Sequence, residues 1–219
     1  MNKLKKIVVL LPVVIVSCIF LRVYYLQQYE NAKHNRLLAL IITILLFYAW
    51  VIAGIIRRRQ NSFFDILVQS TYYVYIFSVL TLTGYFILFN QVSAHDWWHK
   101  MIERVNRREG VNLQPFTFMK GHRLFTYDVV GNFMMLMPLG IYLPMLYKNI
   151  KGFFSVTFVA MMVSVSIELM QLATNVRIAD INDVILNTAG ASVGFIIYFI
   201  IYALFIKPLN PSRKVQAYS

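Results

Sequence analysis

The amino-acid sequence predicts an all-α, polytopic transmembrane helix bundle. Hydrophobic residues make up 59% of the 219 residues and charged residues 14%, whereas soluble domains average about a half and a quarter. Apolar stretches recur at the length of roughly 20 residues that a helix needs to cross a bilayer. Lys and Arg lie between these stretches, so membrane topology explains the net charge of +12 and nucleic-acid binding is not predicted.

Six stretches are long enough to span: 7–26, 37–56, 66–89, 128–147, 153–173 and 184–206. Basic residues flank alternate ends, which predicts that both termini are cytoplasmic. Eight of the nine acids then fall outside or in the outer half of a helix, Asp65 being the exception. The predicted organisation is three N-terminal helices without a recognised motif, an extracellular loop, a three-helix C-terminal domain and a cytoplasmic tail: 1–90, 91–113, 114–206 and 207–219.

The extracellular region 90–127 contains a segment with helical periodicity. Apolar residues recur on one face and basic residues on the other: Trp98, Met101, Ile102 and Val105 against Lys100, Arg104, Arg107 and Arg108. This pattern predicts an interfacial amphipathic helix ended by Gly110, with its tryptophans at headgroup level and its arginines near phosphates. The alternative is a surface that engages a specific anionic lipid or polymer.

Metal binding and lipid attachment have weaker support. His95 and His99 are four residues apart, as zinc ligands on a helix would be, but Asp96 follows His95 where zinc hydrolases have Glu. Solvated histidines are therefore favoured, no metal site is predicted, and no cofactor is identified. Cys18 follows Ile15-Val16-Ser17, a pattern similar to a lipobox, although a buried thiol is the simpler interpretation.

The main concentration of polar residues lies at the predicted outer ends of the last three spans. Its members are separated along the chain but share one predicted membrane depth: Asp128, Asn132, Glu168, Gln171, Arg177, Asp180, Asp183 and Asn187. Carboxylates in a membrane are costly, so they face the bundle interior, pair, or mark a functional path. Two interpretations follow, a structural hydrogen-bonded network and a polar pocket open to the outer leaflet.

Such a pocket is compatible with several chemistries. Clustered acids can supply a general acid and base, bind a divalent cation or, with Arg177, hold a phosphate or a sugar. Near the cluster, Gly190 and Gly194 have the spacing that lets helices approach closely, and packing within the fold is favoured over dimerisation. Pro138 and Gly140 are expected to kink the fourth span and to free backbone carbonyls beside the cluster.

The same residues resemble the VanZ family. The resemblance rests on Gln114-Pro115-Phe116, Asp128-Val129-Val130-Gly131-Asn132, Met137-Pro138-Leu139-Gly140, Ile167-Glu168-Leu169-Met170-Gln171, Arg177, Asp180, Asp183, Asn187 and Gly190, over about 114–200. Met137 departs from the pattern, since the family usually has an aromatic residue before the proline. The resemblance implies a multi-pass plasma-membrane protein of a Gram-positive bacterium, with teicoplanin resistance as the best-known phenotype of the family.

Three functions are consistent with these patterns. The first is an envelope protein that binds an anionic, cell-wall-linked or lipoglycopeptide ligand at the outer leaflet and lowers susceptibility to teicoplanin-type antibiotics. The second is a membrane enzyme acting on a lipid-linked or cell-wall substrate, with Glu168, Asp183 and Asp128 as catalytic candidates. The third is a small transporter, which is less favoured because no polar stripe is visible through the inner halves of the spans.

Overall fold

The structure is a computed structural model that describes residues 10–11, 14–15, 17–18, 45–46, 48–54, 63–85, 96–119, 125–175 and 177–206. Its elements are helices α1 (Phe63–Leu82) and α2 (Trp97–Asn106), strand β1 (Val111–Asn112), a 3-10 turn (Thr117–Met119), helices α3 (Tyr127–Leu146) and α4 (Phe153–Ala173), strand β2 (Ala179–Asp180) and helix α5 (Ile181–Ile201), which continues as a π-helical segment (Tyr202–Ile206). The all-α class is confirmed.

Four helices in the described part of the chain are long and apolar enough to span a membrane: Phe63–Leu82, Tyr127–Leu146, Phe153–Ala173 and Ile181–Leu204. The predicted spans 7–26 and 37–56 lie largely outside the described residues. The third span begins three residues before its predicted start, and its helix ends at Leu82 because Gly84 adopts a φ of 80°. The last span also begins earlier than predicted, because Asp180 caps it.

The chain divides into two compact units. The first comprises Met1–Gly110 and Met170–Arg177, and the second comprises Val111–Leu169 and Ile178–Ser219. In the first unit, α1 packs against the helical segment 48–54, where the Trp50 and Tyr73 rings lie 5.1 Å apart. The buried face of α1 is partly polar, since Gln69 donates to the Tyr73 hydroxyl over 2.9 Å.

Helix α2 also belongs to the first unit, and it ends four residues before the predicted stop at Gly110. Its last carbonyls are satisfied by a Schellman-type turn, in which Arg108 and Glu109 donate to Val105 and Arg104. Arg108 takes the left-handed position of this turn, with a φ of 58°. A residue of positive φ at a helix end is usually glycine, so the sequence analysis placed the end of α2 at Gly110 and not at Arg108.

Helices α3 and α5 form the core of the second unit through glycines. A Cβ at Gly190 would collide with the carbonyl oxygen of Phe133, and one at Gly194 with that of Met137. Because both residue numbers rise together along the contact, the two helices run parallel. Gly140 of α3 approaches the backbone of Ala191 in the same way. The helices therefore pack backbone to backbone, as small residues permit in membranes.

Helix α4 packs against α5 in the opposite direction. The contact runs from the rings of Phe153 and Phe195, 5.9 Å apart, to a Thr157–Ser192 hydrogen bond of 3.0 Å. This hydrogen bond lies in the half of α4 remote from the polar cluster. A single hydroxyl pair is not a continuous polar stripe, and hydropathy averages do not reveal such a bond between helices.

Two prolines lie within α3, where the sequence predicts a kink. Pro138 and Pro144 both lie inside one continuous helix, Tyr127–Leu146. Proline has no N–H, so the helix loses a backbone hydrogen bond at each position without ending. Gly140 allows the backbone of α5 to approach closely.

The close approach of α3 and α5 predicts that Gly190→Ala destabilises the protein by about 1–3 kcal/mol, because the added methyl group meets a rigid backbone carbonyl. Gly131→Ala is the matched control, since a Cβ there has no atom within 4 Å. Thermal unfolding of the detergent-solubilised protein measures both. Equal effects of the two variants would contradict the proposed packing.

Candidate functional site

A two-residue parallel strand pair organises the polar end of the second unit. Val111 of β1 is opposite Ala179 of β2, and Asn112 is opposite Asp180. Strand β1 precedes α3 and strand β2 precedes α5, so the pair joins two segments that lead into parallel helices. This pairing is the frame on which the polar side chains are arranged.

Glu168 is the buried acid of this frame. It lies near the end of α4 and is 5% exposed. Its Oε2 accepts a hydrogen bond of 2.9 Å from the backbone N–H of Asp180. A carboxylate removed from water needs such donors, because an unsatisfied buried charge costs several kcal/mol. The Glu168 side chain thereby holds β2 against α4.

Asp180 is the N-cap of α5 and connects three segments. Its Oδ1 accepts from the backbone N–H of Asn182 over 2.8 Å, which caps the helix. Its Oδ2 accepts from the side-chain amide of Asn112 over 2.9 Å. A carboxylate is stable here because the helix N-terminus presents free N–H groups and the positive end of its dipole. Both carboxylate oxygens are therefore occupied by donors.

Asn182 clamps the loop that follows β1, and sequence analysis did not select it. It is 4% exposed, and its Oδ1 accepts from the backbone N–H of Thr117 over 3.1 Å. Its Nδ2 donates to the carbonyl of Gln114 over 2.9 Å and to the Thr117 hydroxyl over 2.8 Å. The available signal was its position inside Asp180-Ile181-Asn182-Asp183, a helix start rich in residues that bind backbone groups.

The clamped loop contains a strained residue. Phe116 has a φ of 59°, in the left-handed region that bulky residues avoid at a cost of about 1–2 kcal/mol. Pro115 precedes it, and proline followed by a residue of positive φ is typical of a type II turn. The hydrogen bonds of Asn182 on either side stabilise this geometry. Phe116 itself is half exposed, at 49%.

A second hydrogen bond between α4 and α5 lies deeper in the helices. Asn187 and Ser164 are fully buried, and Asn187 Nδ2 donates to the Ser164 hydroxyl over 2.9 Å. Asn187 Oδ1 has no hydrogen-bond partner among the described residues. The stripe predicted from sequence thus runs from the capped start of α5 into the core, through Asp180, Asp183 and Asn187. Asp183 lies in the first turn of α5 and is half buried.

The other predicted cluster residues have different surroundings. Asp128 is exposed and Asn132 half buried, and the side chain of neither forms a hydrogen bond or ion pair with another described residue. Gln171 and Arg177 belong to the first unit, where Gln171 is buried and Arg177 is exposed. The Gln171 carbonyl accepts from the Thr174 hydroxyl over 2.6 Å. The structure therefore brings together Glu168 and Asp180 directly and leaves Asp128 available to solvent or ligand.

Two further sequence features lie away from this cluster. His99 is exposed on α2, whereas His95 lies outside the described residues. Cys18 is also exposed, so the interpretation of a buried thiol is wrong. Within the described ranges, His, Cys, Asp and Glu form no group of three or more that could hold a metal ion. The cluster consists of polar groups held by hydrogen bonds, and Phe116 on the loop that Asn182 holds is half exposed.

Asn182→Ala is expected to loosen the loop that follows β1, because it removes the hydrogen bonds to Gln114 and Thr117. Amide hydrogen exchange in the segment 111–119 should accelerate about tenfold, the equivalent of about 1.4 kcal/mol. Asn132→Ala is the control, since Asn132 makes no polar contact with a described residue. Unchanged exchange in Asn182→Ala would show that the clamp contributes nothing to loop stability.

Comparison with known proteins identifies one family. A family model described as VanZ/LLP1 matches residues 72–202, which is more than half of the chain and includes α3, α4, α5 and both strands. The match begins inside α1, so it extends beyond the motif residues towards the N-terminus. No curated protein and no solved structure matches the chain. Because the matched region covers more than half of its residues, this chain belongs to the VanZ/LLP1 family.

Proposed function

We propose that the protein acts at the outer leaflet of a bacterial plasma membrane and lowers susceptibility to teicoplanin-type lipoglycopeptide antibiotics. The family and the four candidate spans support this proposal. Teicoplanin carries an acyl chain that anchors it at the membrane, so a surface at the ends of the helices would meet both the antibiotic and its lipid-linked surroundings. The polar cluster is the proposed surface for an envelope ligand.

The observation that carries the proposal is the network of Glu168, Asp180 and Asn182. Glu168 and Asp180 accept hydrogen bonds from backbone and amide N–H groups, and Asn182 uses both ends of its side chain to hold the loop. Glu168 and Asn182 are buried, and together with Asp180 they hold the backbone beneath a surface that includes the half-exposed Phe116. A rigid surface suits recognition, because little ordering entropy is lost when a ligand binds.

A membrane enzyme remains the alternative, with Glu168 or Asp183 as acid or base. The two functions demand different properties of Glu168. An acid–base catalyst needs a titratable proton, whereas a positioning residue needs only an oxygen that accepts the Asp180 N–H. Glutamine keeps the oxygen and loses the titration, so it separates the two.

Transport is a second candidate because polar pairs extend along α4 and α5. The Ser164–Asn187 and Thr157–Ser192 hydrogen bonds continue below Glu168 into the remote half of α4. Hydroxyl and amide pairs between helices also serve as packing interactions.

Flux measurements in proteoliposomes test transport. Ion or substrate flux that falls in Thr157→Val, with an unchanged amount of folded protein, would favour transport. Absent flux would remove this candidate.

The test is antibiotic susceptibility in a sensitive Gram-positive host that expresses the protein or its variants at matched membrane levels. The unmodified protein is expected to raise the minimum inhibitory concentration of teicoplanin more than that of vancomycin. Glu168→Gln should keep most of this rise, and Glu168→Ala should lose it because β2 is released. Ser166→Ala is the matched control on α4, since its hydroxyl bonds only to the Met162 carbonyl of its own helix.

Two outcomes would contradict parts of this account. No rise with the unmodified protein, at verified expression, would refute the resistance function. A complete loss in Glu168→Gln, equal to that in Glu168→Ala, would refute the positioning role and favour acid–base catalysis.

A further inference from the structure

Helix α2 is hydrogen-bonded to the C-terminal end of α4. The Trp97 indole N–H donates to the carbonyl of Ala173, the last residue of α4, over 2.6 Å. In return, the side-chain amide of Asn175 donates to the Trp97 carbonyl over 3.2 Å. These contacts lie within the first unit. Because Ala173 ends a candidate span, we expect α2 to lie at the depth where hydrocarbon gives way to headgroups.

One face of α2 presents large apolar side chains outward. Trp98, Ile102 and Val105 are exposed by 54%, 39% and 39%. Their spacing of four and three residues places them in one stripe along the helix. No residue of α2 is buried, so the described protein does not cover this stripe. A stripe with a tryptophan at interfacial depth is typical of helices that lie in the headgroup region.

The basic residues of α2 differ in whether they have an anionic partner. Lys100 pairs with Asp96 over 3.1 Å, and Arg107 pairs with Glu103. Arg104 pairs with no carboxylate among the described residues; its Nη2 donates to the Arg177 carbonyl over 2.9 Å. Its Nη1 is buried and has no hydrogen-bond partner within the described chain. An unsatisfied guanidinium N–H group is costly and requires an acceptor.

We propose that Arg104 binds the phosphate of an anionic phospholipid, while Trp98, Ile102 and Val105 lie among the upper parts of its acyl chains. A phosphate oxygen supplies the acceptor that Nη1 lacks. Binding requires the half-buried side chain to turn this nitrogen, which is enclosed in the structure, towards the lipid. The exposed Arg108 and Arg177 add positive charge in the same unit. The stripe selects a lipid over a soluble phosphate, because both contacts are satisfied only at a membrane.

This lipid site is separate from the surface proposed for resistance. It uses the first unit, and none of its residues takes part in the network of Glu168, Asp180 and Asn182. The lipid site can therefore exist whether or not the protein alters antibiotic susceptibility, and its test requires no antibiotic.

Native mass spectrometry of the full-length protein in detergent micelles tests the phosphate contact. Dioleoyl phosphatidylglycerol is expected to bind at least about tenfold more tightly than dioleoyl phosphatidylcholine, and Arg104→Gln should lose about tenfold of this affinity. Arg107→Gln is the matched control, because it removes the same charge from an exposed ion pair. Equal losses in the two variants, or glycerol phosphate competing as well as the lipid, would overturn the proposal.

A depth measurement tests the stripe without altering Arg104. A nitroxide label at Ile102→Cys, in a Cys18→Ser background and in phosphatidylglycerol-containing nanodiscs, should be relaxed more by oxygen than by a water-soluble nickel chelate. The control label at Lys100→Cys, about 200° away around the helix, should show the opposite preference. Greater accessibility of the Ile102 label to nickel would overturn the proposal.

Discussion

A carboxylate buried at the end of a membrane-spanning helix must keep hydrogen-bond donors within reach, and Glu168 finds one in the backbone N–H of Asp180. Once that bond holds Asp180, the Asp180 carboxylate is placed to cap α5 and to accept from Asn112. The capped helix start in turn positions Asn182 to clamp the loop after β1. Glu168, Asp180 and Asn182 therefore form one connected network at this end of the second unit.

The hydrogen bonds of Glu168, Asp180 and Asn182 can connect separate segments because the helices that carry them are packed at close range. Gly190 and Gly194 bring α5 onto the carbonyls of α3, and hydroxyl and amide pairs join α5 to α4. Apolar burial drives little association between helices in lipid, so backbone proximity and hydrogen bonds carry more of the packing. Because hydrogen bonds carry much of this packing, single polar residues can determine how the helix ends are arranged.

Hydropathy and residue spacing predicted much of this arrangement. The bounds of α4 agree with the predicted span 153–173, since its apolar run has clear limits. Helix α5 begins before its predicted start because Asp180 caps it and Asp183 fits in its first turn. The spacing also identified Glu168 and Asp180. The strand pair, the clamp by Asn182 and the left-handed Arg108 were beyond prediction. They depend on contacts between distant segments, or on backbone angles that residue types do not reveal.

The parallel pairing of β1 and β2, dependent on Glu168, is tested most directly by disulfide crosslinking. In a Cys18→Ser background, Val111→Cys and Ala179→Cys occupy directly opposed positions, about 5 Å apart between Cα atoms as in any β-pair and within disulfide range. We expect rapid crosslinking that Glu168→Ala slows strongly, and slow crosslinking for Leu113→Cys with Ala179→Cys. Equal rates for the two cysteine pairs, or no effect of Glu168→Ala, would contradict the account.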